Sequence, residues 1–169
     1  MNKRHIQTSV NNFIHCGDEY LFVLRHKDKK VDANRLNSIG GKVEPGENYL
    51  DCLIRETHEE TGLVIKPEDT QFLGLLKLEG GYTDDWIAGI FKTEVFSKHI
   101  QHGTKTAEGE FLWLHKDDVL TSEYELVDDL HHLFSEIVSG ENTFFANAVI
   151  NEYEKVEKIT ISKIPRKKV

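Results

Sequence analysis

Apolar positions along this chain fall in short blocks whose period switches between two residues and three to four. Residues 7–15, apolar at Val10 and Phe13-Ile14, and the apolar run 20–24 predict two strands, with Gly17-Asp18 turning between them. Residues 27–34 are charged and predict a solvent-reaching loop. Residues 36–43 read as extended around Gly40-Gly41, and Pro45-Gly46 then breaks the chain. Over 48–61 the period becomes helical. Strands are predicted again at 70–78, 86–96 and 110–114. Leu126, Leu130, Leu133, Phe134 and Ile137 recur at helical spacing and predict a second helix over 124–138. Two late strands, 144–150 and 157–164, follow. No long Pro, Gly or Ser linker divides the pattern, so one domain over 1–164 is expected, with a basic tail, 165–169, that frays. Mixed strands with two main helices predict an α/β or α+β sandwich.

The first helix carries an unusual face. With Asn48 as N-cap and Gly62 as the left-handed C-terminal residue, Leu50, Leu53, Ile54, Thr57 and Thr61 form the buried stripe. Glu56, Glu59 and Glu60 share another face, spanning about 100°. Each like-charged pair at this spacing costs a few tenths of a kcal/mol. Glu59 and Glu60 also lie near the helix C-terminus, where the macrodipole disfavours negative charge. A solvated acidic face is the ordinary reading of such a run. A hard divalent cation is the other, because Mg²⁺ binds through a few carboxylates plus substrate phosphate. Arg55 stands beside this face, where its planar fork can orient a carboxylate. Upstream, the glycines at 40, 41 and 46 suit either a tight strand-to-helix turn or close backbone approach to a ligand.

Charge and composition narrow the partners. Twenty-one Lys and Arg against twenty-nine Asp and Glu leave a net charge of −8, which argues against a nucleic-acid polymer or an anionic membrane. A small anionic ligand stays open if metal supplies the positive charge. No apolar run approaches the roughly 18 residues of a membrane span, and residues 1–10 lack a signal-peptide stretch, so a cytoplasmic location is expected. Cys16 and Cys52 form no ligand pair by spacing, and the histidines, including His99 and His102, lack partners to complete a zinc site.

Gly41, Glu47, then Arg55-Glu56-Thr57-His58-Glu59-Glu60-Thr61-Gly62-Leu63 resembles the signature of the Nudix hydrolases: G, five residues, E, seven residues, R-E-U-x-E-E-x-G-U, with U bulky and aliphatic. All seven fixed residues are present at the right spacing. A chance match is on the order of one in a hundred million per start position. Thr57, at the first U, is the one departure; pointing inward, its hydroxyl is expected to bond the preceding turn.

The resemblance implies a Nudix-type α/β/α sandwich with a mixed central sheet. It implies a pyrophosphohydrolase that uses Mg²⁺, or Mn²⁺, to bring water to phosphorus in a nucleoside diphosphate linked to another moiety. Glu56, Glu59 and Glu60 would hold metal with the Gly40 carbonyl, and Arg55 and Glu47 would brace them. The family often adds a carboxylate from a loop before a late strand; Glu108 and Glu110 are the candidates, Glu108 preferred as the farther from the strand. More weakly, Leu36-Asn37-Ser38-Ile39-Gly40-Gly41-Lys42 resembles the Asn-Gly-Phe-Gly-Gly-Lys of the oxidised-purine triphosphatases related to MutT. There Asn37 would read the purine edge, since an amide offers donor and acceptor side by side. Asp128-Asp129 matches an acidic pair facing the base in that branch. The flanking aromatics of the branch are absent, Leu36 and Leu126-Val127 standing in their place, which leaves Tyr82, Trp86, Phe144 or Phe145 to stack on a base. Arg25 and Lys42 flank the site in sequence as phosphate contacts. The expected substrate is a small nucleotide: a purine triphosphate first, with nucleoside diphosphate sugars such as ADP-ribose and dinucleoside polyphosphates as alternatives. A Nudix domain that only binds nucleotide is the remaining reading, and the intact glutamates argue against it.

Overall fold

The structure, a computed structural model, describes residues 4–167. β1 (Ile6–Cys16) and β2 (Glu19–Arg25) form the expected hairpin, but they pair only at its closed end, His15 with Tyr20 and Cys16 with Glu19. Beyond those pairs they part. β1 runs parallel to β5 (Asp85–Glu94) from Ile6 to His15. β2 instead lies between β6 (Gly109–His115) and the short β3 (Arg35–Asn37), antiparallel to both. Outward from β5 come β4 (Thr70–Gly80), β8 (Asn142–Ile150) and β9 (Val156–Pro165), with β4 and β8 parallel. At the other edge β7 (Glu125–Leu126) pairs in parallel with β3. The nine strands make one mixed sheet, opened between β1 and β2.

A helix covers each face. α1 (Tyr49–Thr61) buries Cys52 and Leu53 against Val10, Ile65 and Phe91. α2 (Leu130–Ser139) buries Leu130, Leu133, Phe134 and Ile137 against Phe13, Phe22 and Phe144. At about 1.5–3 kcal/mol for each large apolar side chain fully buried, these two layers hold the sheet's halves together. The chain is therefore an α/β/α sandwich with a mixed sheet. The Asn48 side chain accepts from the Leu50 and Asp51 N–H groups at 2.9 and 3.0 Å, a cap worth about 1 kcal/mol. Gly62, at φ 75°, ends α1 in the left-handed conformation.

Four local expectations change. Of the predicted 36–43 strand only residues 36–37 lie in a strand, β3, because Gly40 takes φ 153° and turns the chain toward β1. The second helix starts at Leu130 rather than Tyr124: the open edge of β3 recruits residues 125–126, and the Val127 N–H donates to the Leu36 carbonyl at 3.0 Å. Leu126 satisfies either period, so the sequence pattern does not separate the two outcomes. Thr57 is fully buried, yet its hydroxyl accepts from the Asn12 amide at 2.9 Å, while the Asn12 carbonyl oxygen accepts from Thr93 at 2.8 Å. That buried chain ties α1 to β1 and β5; it is Thr61 whose hydroxyl bonds the preceding turn, at Thr57 O. Finally, β9 continues through Pro165, and the Arg166 N–H donates to the Glu141 carbonyl at 3.0 Å, so the expected tail begins inside a paired strand. Its last two residues, 168 and 169, lie outside the described range.

Candidate active site

Residues 38–42 drop into the opening between β1 and β2. The Asn12 N–H donates to the Ile39 carbonyl at 2.7 Å and the Val10 N–H to the Gly41 carbonyl at 2.9 Å. A Cβ on Gly40 would lie 2.0 Å from the Val10 carbonyl oxygen, so this approach needs glycine. Since the Ile39 and Gly41 carbonyls turn toward β1, extended alternation turns that of Gly40 away. Among the described residues it accepts no backbone hydrogen bond. On this segment opens a cavity of about 980 Å³.

One wall of the cavity is the acidic face of α1, with Glu56, Glu59 and Glu60. Arg55 organises two of the three. Its Nε and Nη2 grip Glu47 at 2.8 and 2.9 Å, and Nη1 donates to Glu56 at 2.8 Å and Glu59 at 3.0 Å. Nη2 also donates to the Lys42 carbonyl at 3.1 Å, locking the helix to the glycine segment. The Arg55 hydrogen bond, with the Glu44 N–H behind it, holds the Glu47 carboxyl down at about 2. Gly41 leaves the room for Glu56: a Cβ there would fall 2.3 Å from its carboxyl carbon. Behind Arg55, burial pushes the Cys52 thiol up to about 12, which makes it an inert packing residue. Cys16 is half-buried and unpaired.

Glu60 is different. Among the described residues it reaches a single donor, the Gly40 N–H, at 3.4 Å. Burial, reinforced by the Glu56 and Glu108 carboxylates against that N–H, pushes it up to about 8. Glu108 stands opposite, lining the cavity and held by Lys29 at 2.8 Å and Arg25 at 3.3 Å. Glu110, in β6, pairs with Leu24 of β2 and lines a separate, smaller cleft, so the structure brings Glu108 to the cavity of the acidic wall and not Glu110.

Among the described residues no three His, Cys, Asp or Glu side chains already surround one point as metal ligands; the Glu56 and Glu59 oxygens face Arg55 instead. The donor set nonetheless fits a hard divalent cation. It is all oxygen: three carboxylates, a free carbonyl at Gly40, and Glu108 across the cavity. It also contains Glu60, a half-buried carboxylate whose hydrogen bond from the Gly40 N–H is long at 3.4 Å.

The other end of the cavity is polar without being a metal site. Asn37 lines it, its carbonyl oxygen fixed by the Ser38 N–H at 2.8 Å and its amide pointing to Asp32 at 3.4 Å. Asp129 also lines it and is buried; burial and then the neighbouring Asp32 push its carboxyl up to about 7. Asp128 does not join it. Its carboxylate accepts from the Val156 N–H at 2.8 Å and pairs with Lys155 at 3.3 Å, so it anchors the start of β9, and of the two only Asp129 lines the cavity. Adjacent residues in this turn point opposite ways, which is why the acidic pair expected from sequence is split.

Tyr82 and Trp86 line the cavity, and the Lys42 ammonium sits 5.2 Å over the Trp86 ring. Phe144 is core and Phe145 is exposed elsewhere on β8, so neither can stack there. Arg25 lines the cavity beside Glu108. Among the cavity residues to which the sequence analysis gave no role are three on loops: Asp32, His102 and Lys105. His102 Nδ1 bonds the Glu59 carbonyl at 3.1 Å. All three lie on loops, where no periodicity marks which side chain turns inward.

The NUDIX domain family model matches residues 5–147. Among solved structures, a mutator MutT protein from Bacillus halodurans superposes with a TM-score of 0.78 at 19% identity, covering 92% of this chain and 97% of that one. A MutT protein from Methanosarcina mazei gives 0.64 at 23% identity, covering 83% and 96%. A MutT Nudix hydrolase from Burkholderia pseudomallei gives 0.66 at 18%, covering 79% and 98%. At these identities the structures speak for the fold, and the family match speaks for the chemistry.

Proposed function

The chain belongs to the Nudix hydrolase family, and on that premise we propose that it hydrolyses purine nucleoside triphosphates, oxidised forms such as 8-oxo-dGTP among them, to nucleoside monophosphate and pyrophosphate with Mg²⁺ in the cytoplasm. One observation carries the reading. A single cavity joins the acidic face of α1 to a buried polar end formed by Asn37 and Asp129, with room for a phosphate chain and a base together.

Glu56, Glu59 and Glu60, with the Gly40 carbonyl and Glu108, would hold the cation. A divalent ion bound there neutralises phosphate oxygens and lowers the pKa of water. Arg55 holds Glu56 and Glu59 in fixed orientations, so that part of the site is arranged before substrate arrives. Glu60 or Glu108 takes the proton of the attacking water, being the two carboxylates Arg55 does not engage. Arg25 and Lys42 contact phosphate from the cavity walls, and Tyr82 and Trp86 offer faces to the base.

Asn37→Ala is expected to raise KM for the best purine triphosphate about tenfold, the loss of one or two hydrogen bonds to the base, with kcat held. Pyrimidine triphosphate turnover should stay within about twofold of the unsubstituted chain. Steady-state kinetics on both classes checks this, and equal losses on both would remove Asn37 from base reading.

A further inference from the structure

The buried end of the cavity contains a carboxylate that the hydrolysis leaves without a task. Asp32, on the loop between β2 and β3, is 9% exposed and takes φ 54°, a conformation uncommon outside glycine. The protein builds a frame to keep it there. Its N–H donates to Glu154 at 3.2 Å, and Arg35 spans the two acids, 2.8 Å from Glu154 and 3.8 Å from Asp32. Its carboxyl oxygens meet the Tyr82 hydroxyl and the Asn37 amide, each at 3.4 Å. Those two contacts are long, so acceptor capacity remains toward the cavity. Asp129, 8% exposed, lines the same end.

Two buried carboxyl groups in one pocket repel each other and weaken the fold unless something arrives to satisfy them. Burial and the Glu154 charge push Asp32 up to about 6, and burial with the charge of Asp32 pushes Asp129 up to about 7. Such an arrangement is a poor device for stability and a good one for recognition. We propose that Asp32, together with Asp129, is a specificity-determining residue that accepts the N–H groups of a guanine-type base edge. This rests on the purine triphosphate reading above and names the purine.

The chemistry discriminates sharply. An ionised carboxylate only accepts, and the guanine edge offers N1–H beside the 2-amino group, so the two match. Adenine sets a bare N1 acceptor next to its amino group, which turns a lone pair toward the carboxylate. An amide at position 32 would present a donor and an acceptor instead and suit adenine better. Tyr82 and Asn37 hold the Asp32 carboxyl from two sides, so it meets the base with little reorientation.

Binding of GMP and AMP to the full chain, without metal, tests this independently of hydrolysis. The probe is tryptophan fluorescence, since Trp86 lines the cavity, and pH 8 keeps both carboxyls largely ionised. The unsubstituted chain is expected to prefer GMP, and Asp32→Asn to lower the GMP-to-AMP affinity ratio at least about tenfold. Asp32→Ser, smaller and uncharged, is the second variant; it should weaken GMP and spare AMP. A chain without GMP preference overturns the proposal. So does either variant that melts like the unsubstituted chain and keeps the ratio within about twofold. A chain that discriminates GMP through Asp32 but cleaves no purine triphosphate would uphold this assignment and overturn the hydrolytic one.

Discussion

Glu60→Gln lowers kcat at least about a hundredfold on the best substrate, with KM changed far less. Glu60 is a half-buried member of the acidic wall, in contact with the Gly40 N–H and within the fields of Glu56 and Glu108. Glutamine keeps the shape and removes the charge, so packing survives while the negative charge that draws a cation does not. The fold itself should lose nothing, because burial already opposes the ionised form. Single-turnover kinetics with a thermal melt separates the two effects. Turnover within a few-fold of the unsubstituted chain would take Glu60 out of the site and leave Glu56 and Glu59, both bound to Arg55, as the sole carboxylates of the helix at the reacting phosphate.

Gly40→Ala carries the largest expected cost in stability, about 3 kcal/mol or more, seen as a melting temperature lower by about 6–12 °C. Two terms add. A Cβ would meet the Val10 carbonyl oxygen at 2.0 Å, and φ 153° is a conformation that side chains resist. The obstacle is backbone of β1, paired along its length with β5, so it cannot swing aside. Relief has to come from parting residues 38–42 from β1, which breaks the Asn12–Ile39 and Val10–Gly41 bonds and moves the cavity wall. Gly46 is the comparison: φ is 85°, but a Cβ there meets nothing within 4 Å. Gly46→Ala should cost only the about 1–2 kcal/mol of the left-handed conformation. Equal melting temperatures for the two variants would mean that the close approach at Gly40 relaxes freely.

What was legible in the sequence was local. The cap at Asn48, the left-handed Gly62 and the acidic face of α1 follow from residue type and spacing over one helix, and they stand where expected. The strands whose period is clean lie within a few residues of their predicted ends. Asn37, named from the resemblance of residues 36–42 to the MutT-related branch, lines the cavity. What depends on distant pairing was not legible. The parting of β1 from β2 comes from β5 and β6 capturing one strand each, a choice between partners far apart in the chain. Residues 125–126 join β3 for the same reason. Asp32 faces the cavity because Glu154 and Arg35 hold a loop in place, and nothing near residue 32 announces it. Asp128 and Asp129 look equivalent as letters and are separated by the direction of one turn.

The central claim is that one cavity serves both metal-dependent chemistry and purine recognition. The most direct measurement is pyrophosphate and phosphate release with Mg²⁺ across common and oxidised nucleoside triphosphates, ADP-ribose, a sugar nucleotide and a dinucleoside tetraphosphate, each repeated with chelator. Chelator-sensitive pyrophosphate release from purine triphosphates, above that from pyrimidines, is the result expected. Release confined to the sugar nucleotide, ADP-ribose or the dinucleotide would contradict the account of the buried polar end while leaving the acidic wall of α1 in place.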